Sequence, residues 1–393
     1  MKILFVSLFL PRQQAGHAGG RYVYELLRHL AQRHELHLAT RLEEAELPLL
    51  EALRPLCAAI HPHVYRNVAQ RGVLDNLRLI GDYLAFSRSA DGLIHAGEYD
   101  IVQVEWVETA LLIRKGRTPM VLDAHDVITK PAERRMRQAK GINRLVATIV
   151  YLLTRMAERC IMRRFAAIFT VSDFDRRYLL NMAPELAARA ITVPIPAGMD
   201  ISERRYPTRP HSILFFAAYR HRQVNVDAAL WFYRRVFPLI RRQIPEASFI
   251  IAGNGPPAEL TALAATDPQV EVTGFVDDID RCYKEAAVFV APILTGGGII
   301  VKILDALAAG IPVVTTTFGN EGVAAQPGRD LLVADDPESF AAHVVRVLQE
   351  TEFARTLAMN GAEFARHHYG IDSVIARLEE HLAAIAAKRG QTP

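Results

Sequence analysis

The sequence predicts an α/β protein with two doubly wound, parallel-sheet domains of the Rossmann type. Three observations support this fold class. Short apolar runs of strand length alternate with longer stretches that suit helices, a pattern typical of parallel sheets. The alternation stops in a polar, Arg- and Pro-rich stretch that ends at Pro210, and then restarts. With 393 residues, the chain is also too long for one ordinary core.

The first half is predicted to open with a strand, a glycine-bearing loop, a helix and a second strand. An apolar run ends at Leu10, residues 22–32 form an amphipathic stretch, and residues 36–40 form the next strand. Further strand-length apolar runs lie at residues 101–104, 120–122 and 167–171. We therefore expect a first domain over residues 1–200.

The second half repeats this alternation and is predicted to form a domain over residues 201–370. Helices are expected at 226–242 and 301–309. The predicted strands lie at residues 212–216, 248–252, 270–273, 288–291 and 312–315. No self-similarity of the kind that marks a solenoid accompanies them.

Cysteine usage and hydropathy favour a cytoplasmic protein. Cys57, Cys160 and Cys282 lie far apart, without the paired spacing of a disulfide framework or a zinc site. The apolar stretch 145–154 falls short of the roughly 20 residues that span a bilayer. The apolar start of the chain is followed by Pro11 and Arg12 rather than by small cleavage-site residues, so we do not expect a signal peptide.

Positive charge is concentrated between residues 130 and 164. Only Glu133 and Glu158 oppose it there. The basic residues are Lys130, Arg134, Arg135, Arg137, Lys140, Arg144, Arg155, Arg159, Arg163 and Arg164. Together with the apolar run 145–153, they predict peripheral contact with an anionic membrane. The alternative is a solvated basic helix pair that packs 145–153 into the core, whereas nucleic-acid binding is not expected because no recognition motif accompanies the charge.

Two loops that follow strands in the first half carry candidate binding residues. Gly19 and Gly20 let backbone amides and a helix terminus approach a phosphate, although tight turns need glycines equally often. Asp123-Ala124-His125-Asp126 places a titratable imidazole directly after an apolar strand. His125 is therefore predicted to contact substrate, with a loop-capping role as the alternative.

The second half offers two further loops. Arg220 and Arg222 follow its first strand and suit a diphosphate, because a guanidinium can bridge two oxygens; a solvated loop is the alternative. The strongest signal is a run of three glycines that opens a helix carrying Lys302 and Asp305, since several unpaired amides there make an anion site. The run consists of Gly296, Gly297 and Gly298, followed by Ile299.

The sequence resembles glycosyltransferase family 4, the group 1 glycosyl transferases with the GT-B fold. The likeness spans nearly the whole chain and rests on several motifs in a fixed order. They are Gly19-Gly20, Asp123-Ala124-His125-Asp126, Thr170-Val171-Ser172, Pro194 to Asp200, Asn225-Val226-Asp227-Ala228, Ile250 to Pro256 including Gly253, Val272 to Ile279, and Lys302 to Val314.

The resemblance implies that two Rossmann-like domains face each other across a cleft and transfer a sugar from a nucleotide donor, with retention and without a metal or other cofactor. It implies that Gly19 and Gly20 face the donor phosphates and that His125 approaches the transferred sugar. It further places Val276 and Asp278 near the base and Asp305 at the ribose. Residues 371–387 would form a helix that crosses back onto the first, acceptor-binding domain.

One departure from the family pattern stands out. The family has two glutamates with seven residues between them, whereas Gly297 and Asp305 occupy those positions here. The triple glycine followed by a lysine resembles a subgroup that makes bacterial cell-surface polysaccharide, and Lys302 would replace a lysine missing from the Arg220 loop. The expected partners are a nucleotide sugar and a sugar or lipid-linked acceptor. A sugar-nucleotide epimerase and a catalytically inert binding protein are the alternatives.

Overall fold

The computed structural model describes residues 1–13, 18–65, 73–198, 209–220, 222–295 and 299–388. The chain divides into two compact units. Unit 1 comprises Met1–Pro194 with Ile375–Pro393, and unit 2 comprises Ile195–Val374. Each unit is built on a parallel sheet with helices between its strands, so the predicted α/β fold class with two doubly wound sheets is confirmed.

Unit 1 contains a sheet of seven parallel strands. The strands are β1 (Lys2–Ser7), β2 (Glu35–Glu43), β3 (Ala59–Tyr65), β4 (Ile101–Glu105), β5 (Met120–Ala124), β6 (Ala167–Thr170) and β7 (Ala190–Thr192). Their order across the sheet is β3-β2-β1-β4-β5-β6-β7. Every residue of β4, β5 and β6 is buried, so these strands lack the regular alternation of apolar and polar residues that a half-exposed strand shows.

The helices of unit 1 that precede the linker region are α1 (Ala18–Leu30), α2 (Val73–Ala96), α3 (Thr129–Gln138), α4 (Gly141–Met162) and α5 (Asp173–Met182). Helix α1 packs one face into the core through Tyr22, Val23, Leu26 and Leu30, at the spacing of an amphipathic helix. Helix α5 begins at a Ser172 cap, whose hydroxyl accepts a hydrogen bond from the backbone N–H of Asp175.

Unit 2 contains a second parallel sheet, of six strands. The strands are β8 (Ser212–Phe216), β9 (Ser248–Ala252), β10 (Val270–Gly274), β11 (Val288–Ala291), β12 (Val313–Thr315) and β13 (Leu332–Val333). Their order is β10-β9-β8-β11-β12-β13. Three of the five strands predicted in this half, β8, β9 and β11, match the observed bounds at both ends.

The helices of unit 2 are α6 (Gln223–Trp231), α7 (Phe237–Arg241), α8 (Ala258–Thr266), α9 (Ile279–Glu285), α10 (Val301–Ala308), α11 (Thr317–Asn320), α12 (Pro337–Gln349) and α13 (Thr351–Tyr369). A π turn, Phe232–Val236, joins α6 to α7, so the single helix predicted there is continuous but locally widened. The last helix, α14 (Ile371–Ala387), spans the bounds expected for the closing segment, and its residues from Ile375 belong to unit 1. There, Glu379 pairs with Arg33 and His34.

Three strands were not predicted: β3, β7 and β13. Strand β3 lies at the edge of its sheet, and its sequence contains Pro62 between two histidines rather than an apolar run. Strands β7 and β13 are edge strands of three and two residues, too short to show a period.

Strand order reverses at one point in each sheet, beside β1 in unit 1 and beside β8 in unit 2. The chain places β2 on one side of β1 and β4 on the other, and it treats β8 in the same way with β9 and β11. In doubly wound sheets, ligands bind outside the carboxyl ends of the strands at such a reversal. The loops after β1, β4 and β5, and those after β8, β9 and β11, are therefore where functional side chains are expected.

Candidate functional site

In unit 1, a buried cluster of polar side chains forms where β4 and β5 end. Glu105 is the last residue of β4, and Asp123 and His125 lie at the end of β5. His125 Nε2 is 2.7 Å from Glu105 Oε2. Tyr22, on α1, donates its hydroxyl hydrogen to Asp123 Oδ2 at 3.0 Å, and Gln103 Nε2 donates to Glu105 Oε1 at 2.8 Å. The cluster thus joins three elements that sit next to one another at the strand-order reversal.

Burial shifts the proton affinities of this cluster towards neutral pH. It raises the pKa of Glu105 to about 8, against the opposing hydrogen bond from Gln103. Burial, and then the charge of Glu105, raises the pKa of Asp123 to about 7. Burial lowers the pKa of His125. Burial thus favours the neutral form of both the Glu105 carboxyl and the His125 imidazole, so their 2.7 Å contact favours a hydrogen bond over an ion pair.

Aromatic rings hold the imidazole in place. Trp106 stacks on His125 with ring centres 4.2 Å apart and planes 14° apart, and Tyr22 meets the imidazole edge-on at 5.4 Å. Phe9 in turn packs edge-on against Trp106. Trp106 has a φ of 65°, a conformation that costs a bulky residue about 1–3 kcal/mol and that is concentrated at functional sites. The orientation of His125 is therefore fixed by its surroundings, and among the described residues none hydrogen-bonds to its other ring nitrogen, Nδ1.

The segment that follows His125 is anchored by two buried acids. Glu158, on α4, accepts hydrogen bonds from the backbone N–H groups of Ile128 and Thr129 and from the Thr129 hydroxyl, so it caps the start of α3. Asp175 forms a buried ion pair with Lys130. Burial raises the pKa of Glu158 to about 7 despite these hydrogen bonds. Helices α4 and α5 thus fix the loop that carries His125.

Gly19 and Gly20 lie in the first turn of α1 rather than in a loop before it, which corrects the sequence-based expectation. The helix begins at Ala18, because glycine does not prevent the first turn when the following residues have strong helical periodicity. Gly16 lies outside the described residues. The first-turn N–H groups of a helix have no partner within the helix, so this placement is still compatible with phosphate binding.

In unit 2, Lys302 is the second residue of α10 and lies next to positive charge. Its Nζ donates to Asn225 Oδ1 at 2.9 Å and lies 5.0 Å from the centre of the Phe215 ring. Asn225 Nδ2 donates to the carbonyl of Ala218, so Asn225 links Lys302 to the loop after β8. Burial, and then the charge of Arg222, lowers the pKa of Lys302 to about 7. Within the described ranges, no carboxylate forms an ion pair with Lys302, Arg220 or Arg222.

The loops that follow β8 and β9 are locked together by close backbone packing. The N–H groups of Tyr219 and Arg220 both donate to the carbonyl of Asn254. Gly253 has a φ of 129°, and a Cβ at this position would lie 1.9 Å from the carbonyl oxygen of Ala217. Only glycine fits there. Gly253 therefore shapes the loop that carries Arg220, whose side chain is exposed.

The other predicted residues of unit 2 take varied positions. Asp305 is buried, and its Oδ1 accepts a hydrogen bond from the N–H of Gly198 at 3.1 Å. Asp278 is exposed and caps α9 through the N–H of Arg281. Val276 and Ile299 are half-buried against the core of unit 2. Gly296, Gly297 and Gly298 lie outside the described residues.

One group of side chains has ligand atoms close enough to hold a metal ion. Among the described residues, the atoms of Glu105, Asp123 and His125 lie within 4.8 Å of one another. Asp123 Oδ1 has no hydrogen-bond partner there. A metal ion would have to break the contact between Glu105 and His125, which instead satisfies both side chains through a hydrogen bond.

Comparison with known families assigns the chain. Residues 19–203 match the model for glycosyltransferase family 4, and residues 210–350 match the model described as glycosyl transferases group 1. The chain belongs to glycosyltransferase family 4. The expected family membership is confirmed.

Two bacterial proteins share part of the sequence. The chain is 27% identical over 161 residues to a protein of the cps region of Klebsiella pneumoniae, covering 39% of this chain and 42% of that one. It is 23% identical over 311 residues to a phosphatidyl-myo-inositol mannosyltransferase of Mycolicibacterium smegmatis, covering 75% of this chain and 73% of that one. The chain therefore spans less than half of the first relative and about three quarters of the second.

Solved structures of similar fold cover nearly the whole chain. Sucrose-phosphate synthase from Thermosynechococcus elongatus superposes with a TM-score of 0.73 at 16% identity, covering 99% of this chain and all of that one. The Anabaena protein HepE in complex with UDP gives a TM-score of 0.69 at 13% identity, covering 98% and 100%. With the two parallel sheets, these neighbours establish the GT-B fold for this family 4 chain.

Sequence reasoning named His125 and Lys302 as candidates but did not name the side chains that contact them. Glu105 precedes its partner His125 by 20 residues, and Tyr22 precedes its partner Asp123 by 101 residues, so no spacing rule links them. Asn225 belonged to a recognised motif, yet its contact with Lys302 becomes visible only in the fold. A signal for Glu105 was present, because an acidic residue directly after the predicted strand 101–104 needs a partner when it is buried.

Proposed function

We propose that this glycosyltransferase moves a sugar from a nucleotide-sugar donor to an acceptor hydroxyl, with retention, in the synthesis of cell-surface polysaccharide or glycolipid. The observation that carries the proposal is the pair of cationic groups at Lys302 and Arg222. They lie close enough for Arg222 to lower the pKa of Lys302, and no described carboxylate compensates them. Such an arrangement favours the binding of a multiply charged anion, such as the diphosphate of a nucleotide-sugar donor.

Sugar transfer requires charge stabilisation that these groups can supply. The bond between the sugar C1 and the β-phosphate oxygen breaks, and its electron pair leaves with the nucleoside diphosphate. Lys302 and Arg222 would stabilise the resulting negative charge. The acceptor oxygen then bonds to C1, and its proton passes to the departing phosphate, so no enzymic nucleophile is needed. Loss of one preorganised group of this kind costs about 100- to 1000-fold in turnover.

His125 is proposed to hold a hydroxyl of the transferred sugar. Its Nδ1 is uncommitted among the described residues, whereas Nε2 is held by Glu105. A neutral imidazole donates at Nδ1 when protonated Glu105 gives its hydrogen to Nε2, and it accepts at Nδ1 when ionised Glu105 takes the hydrogen of Nε2–H. Glu105 would therefore act through His125 by setting its tautomer.

The names of related proteins support this class of donor and acceptor. HepE is recorded in complexes with UDP and with UDP-glucose, and a mycobacterial relative is a GDP-mannose-dependent phosphatidylinositol monomannoside mannosyltransferase. We propose by analogy that the acceptor is a sugar or a lipid-linked sugar, presented at a membrane surface. The donor residues assigned from the family pattern, Asp305 at the ribose and Val276 with Asp278 at the base, complete the proposal.

A panel of nucleotide sugars tests the donor assignment. UDP-, GDP- and dTDP-sugars would be screened for a rise in melting temperature, since a ligand at 100 times its Kd adds about 2.7 kcal/mol. We expect Lys302→Met to weaken binding about 10- to 100-fold, and Lys115→Met, which removes an exposed lysine in unit 1, to leave it unchanged. Equal binding by wild type and Lys302→Met would refute the diphosphate assignment.

The fate of the bound donor tests the reaction. Release of nucleoside diphosphate only when an acceptor is present supports transfer. An isomerised donor would indicate an epimerase instead, and tight binding without turnover would indicate an inert binding protein.

A further inference from the structure

The outer face of α4 exposes eight large apolar side chains, which is unusual for a helix of a globular unit. Their exposed fractions run from 44% for Val150 to 78% for Ile142. The eight residues are Ile142, Leu145, Val146, Ile149, Val150, Leu152, Leu153 and Met156. They recur at intervals of three and four residues, so they form one continuous stripe along the helix. We call this stripe the α4 apolar face.

The opposite side of α4 already supplies the contacts that hold the helix on unit 1. Ala147, Glu158, Ile161 and Met162 are buried, at positions that alternate with the exposed stripe. The alternative stated above, in which residues 145–153 pack into the core, is therefore wrong, because most of their side chains are exposed to solvent. An apolar surface of this extent on one helix indicates a partner that covers it.

The basic cluster around this face is smaller than the sequence suggests. Several of its basic residues already have partners within unit 1. Lys130 pairs with Asp175, Arg137 with Glu133, and Arg159 and Arg163 with Glu185, and Arg164 donates to three backbone carbonyls. The side chains of Arg135, Lys140 and Arg144 are exposed and make no hydrogen bond or ion pair with any described residue. These three side chains, beside the first turns of α4, are free to contact a partner.

No exposed carboxylate on α3 or α4 offsets them. Glu133 accepts hydrogen bonds from Arg137 and Tyr178, and Glu158 is buried. Two α4 apolar faces packed against each other would bring these positive charges together without a counter-charge. An anionic lipid surface supplies both an apolar layer and negative charge.

We propose that α4 lies in the headgroup region of an anionic bilayer, with its apolar face inserted and Arg135, Lys140 and Arg144 against the lipid phosphates. The helix lies in the interface and does not cross it: among the described helices, none has the length and apolar character of a membrane span. The inference deepens the proposed function and rests on it in one respect, because it places unit 1 at the surface that would present a lipid-linked acceptor.

Vesicle binding by the full-length chain tests the inference directly. Two kinds of vesicle would be sedimented with the wild type and with two triple variants. One kind is phosphatidylcholine alone, and the other also contains about a third of anionic lipid, phosphatidylglycerol. Each basic residue at an anionic surface is worth roughly fivefold in partitioning, so Arg135→Ser, Lys140→Ser and Arg144→Ser together should weaken binding to anionic vesicles about 100-fold. Leu145→Ser, Ile149→Ser and Leu152→Ser together should abolish binding to both.

A matched control removes the same charge elsewhere. Arg242, Arg355 and Arg377 are exposed and lie on other helices or at their ends, so replacing all three with Ser should leave vesicle binding nearly unchanged. The α4 apolar substitutions should not unfold the chain, because those side chains are already exposed to solvent.

Cys160 offers a direct readout of insertion. It is an exposed cysteine on α4, one helical turn beyond Met156 and on the same side. A polarity-sensitive fluorophore attached there, in a Cys282→Ser background, should shift to shorter wavelength when anionic vesicles are added.

Several outcomes would overturn the inference. Equal binding to neutral and anionic vesicles, no binding to either, or unchanged binding after the α4 apolar substitutions would each do so. Concentration-dependent dimerisation that those substitutions abolish would show that a second copy covers the face instead. Nucleotide-sugar binding is measured without lipid, so vesicle binding without sugar transfer would refute the proposed function alone, and transfer without vesicle binding would refute the docking alone.

Discussion

Replacing Glu105 with Gln tests whether the buried cluster at His125 holds an additional proton near neutral pH. The substitution keeps the shape of the side chain and removes its ionisation. In the wild type, the pKa of Glu105 is raised to about 8, chiefly by burial, from an ordinary value of 4.5. The folded state therefore binds this proton more tightly than the unfolded state does.

The sign and size of the effect follow from that difference. A carboxyl with a raised pKa contributes full stability below the unfolded value and loses it as pH rises towards the folded value. Between pH 5.5 and 7.5, Glu105 should lower the free energy of unfolding of unit 1 by about 1.4 kcal/mol per pH unit, or about 3 kcal/mol in all. Glu105→Gln removes this contribution and also lessens the upward shift that the Glu105 charge imposes on the pKa of Asp123.

Urea denaturation at several pH values measures this slope. Trp106 stacks on His125, so its fluorescence in a Trp231→Phe background reports on unit 1. We expect a visibly shallower pH dependence for Glu105→Gln than for wild type. Glu98→Gln makes the same chemical change at an exposed position and serves as the control. Identical slopes for wild type and Glu105→Gln would show that Glu105 ionises normally, and the idea of a neutral hydrogen bond between Glu105 and His125 would have to be abandoned.

Three further predictions address other parts of the chain. The pKa of Lys302 is lowered to about 7, and a bound diphosphate would raise it, so nucleotide affinity should fall as pH rises above 7, by up to tenfold per pH unit. Lys302→Arg should remove this pH dependence. Calorimetry in buffers of different ionisation enthalpy would contradict the idea if the wild type took up no proton on binding. Gly253→Ala should destabilise unit 2 by at least about 2 kcal/mol, because its Cβ would collide with the Ala217 carbonyl, and an unchanged melting temperature would count against the loop geometry. Glu158→Ala should lower the free energy of unfolding by about 3 kcal/mol, because the buried N–H and hydroxyl of Thr129 lose their acceptor. Glu158→Gln should be less damaging, because its amide oxygen can still accept a hydrogen bond; equal stability of the two variants would argue against the capping role.

Much of the fold could be predicted because buried parallel strands have a simple signature. Strands β8, β9 and β11 are short, mostly apolar runs, so their positions could be read from the sequence. Edge strands such as β3 lack that signature, since one side of each has no neighbour to demand apolar residues.

Candidate site residues could be named only where chemistry and position coincide in the sequence. His125 follows an apolar strand and Lys302 lies at a helix start, which marked both as candidates. Their partners Glu105 and Asn225 come from other elements, and the sequence does not record which side chains meet across a sheet edge. The number of basic residues free to bind a partner was overestimated from the sequence, because a count of arginines does not show that Arg159 and Arg163 are already paired with Glu185.

The most direct test of the central claim is an assay of sugar transfer to lipid. Purified chain would be incubated with a radiolabelled nucleotide sugar chosen from the binding panel, with and without a bacterial lipid extract, and the labelled lipid and free nucleoside diphosphate would be quantified. We predict that nucleoside diphosphate release requires the lipid, that label appears in the lipid fraction with its anomeric configuration retained, and that Lys302→Met lowers both by about 100-fold or more. Label that stays on an isomerised donor, or transfer at the wild-type rate by Lys302→Met, would contradict the account.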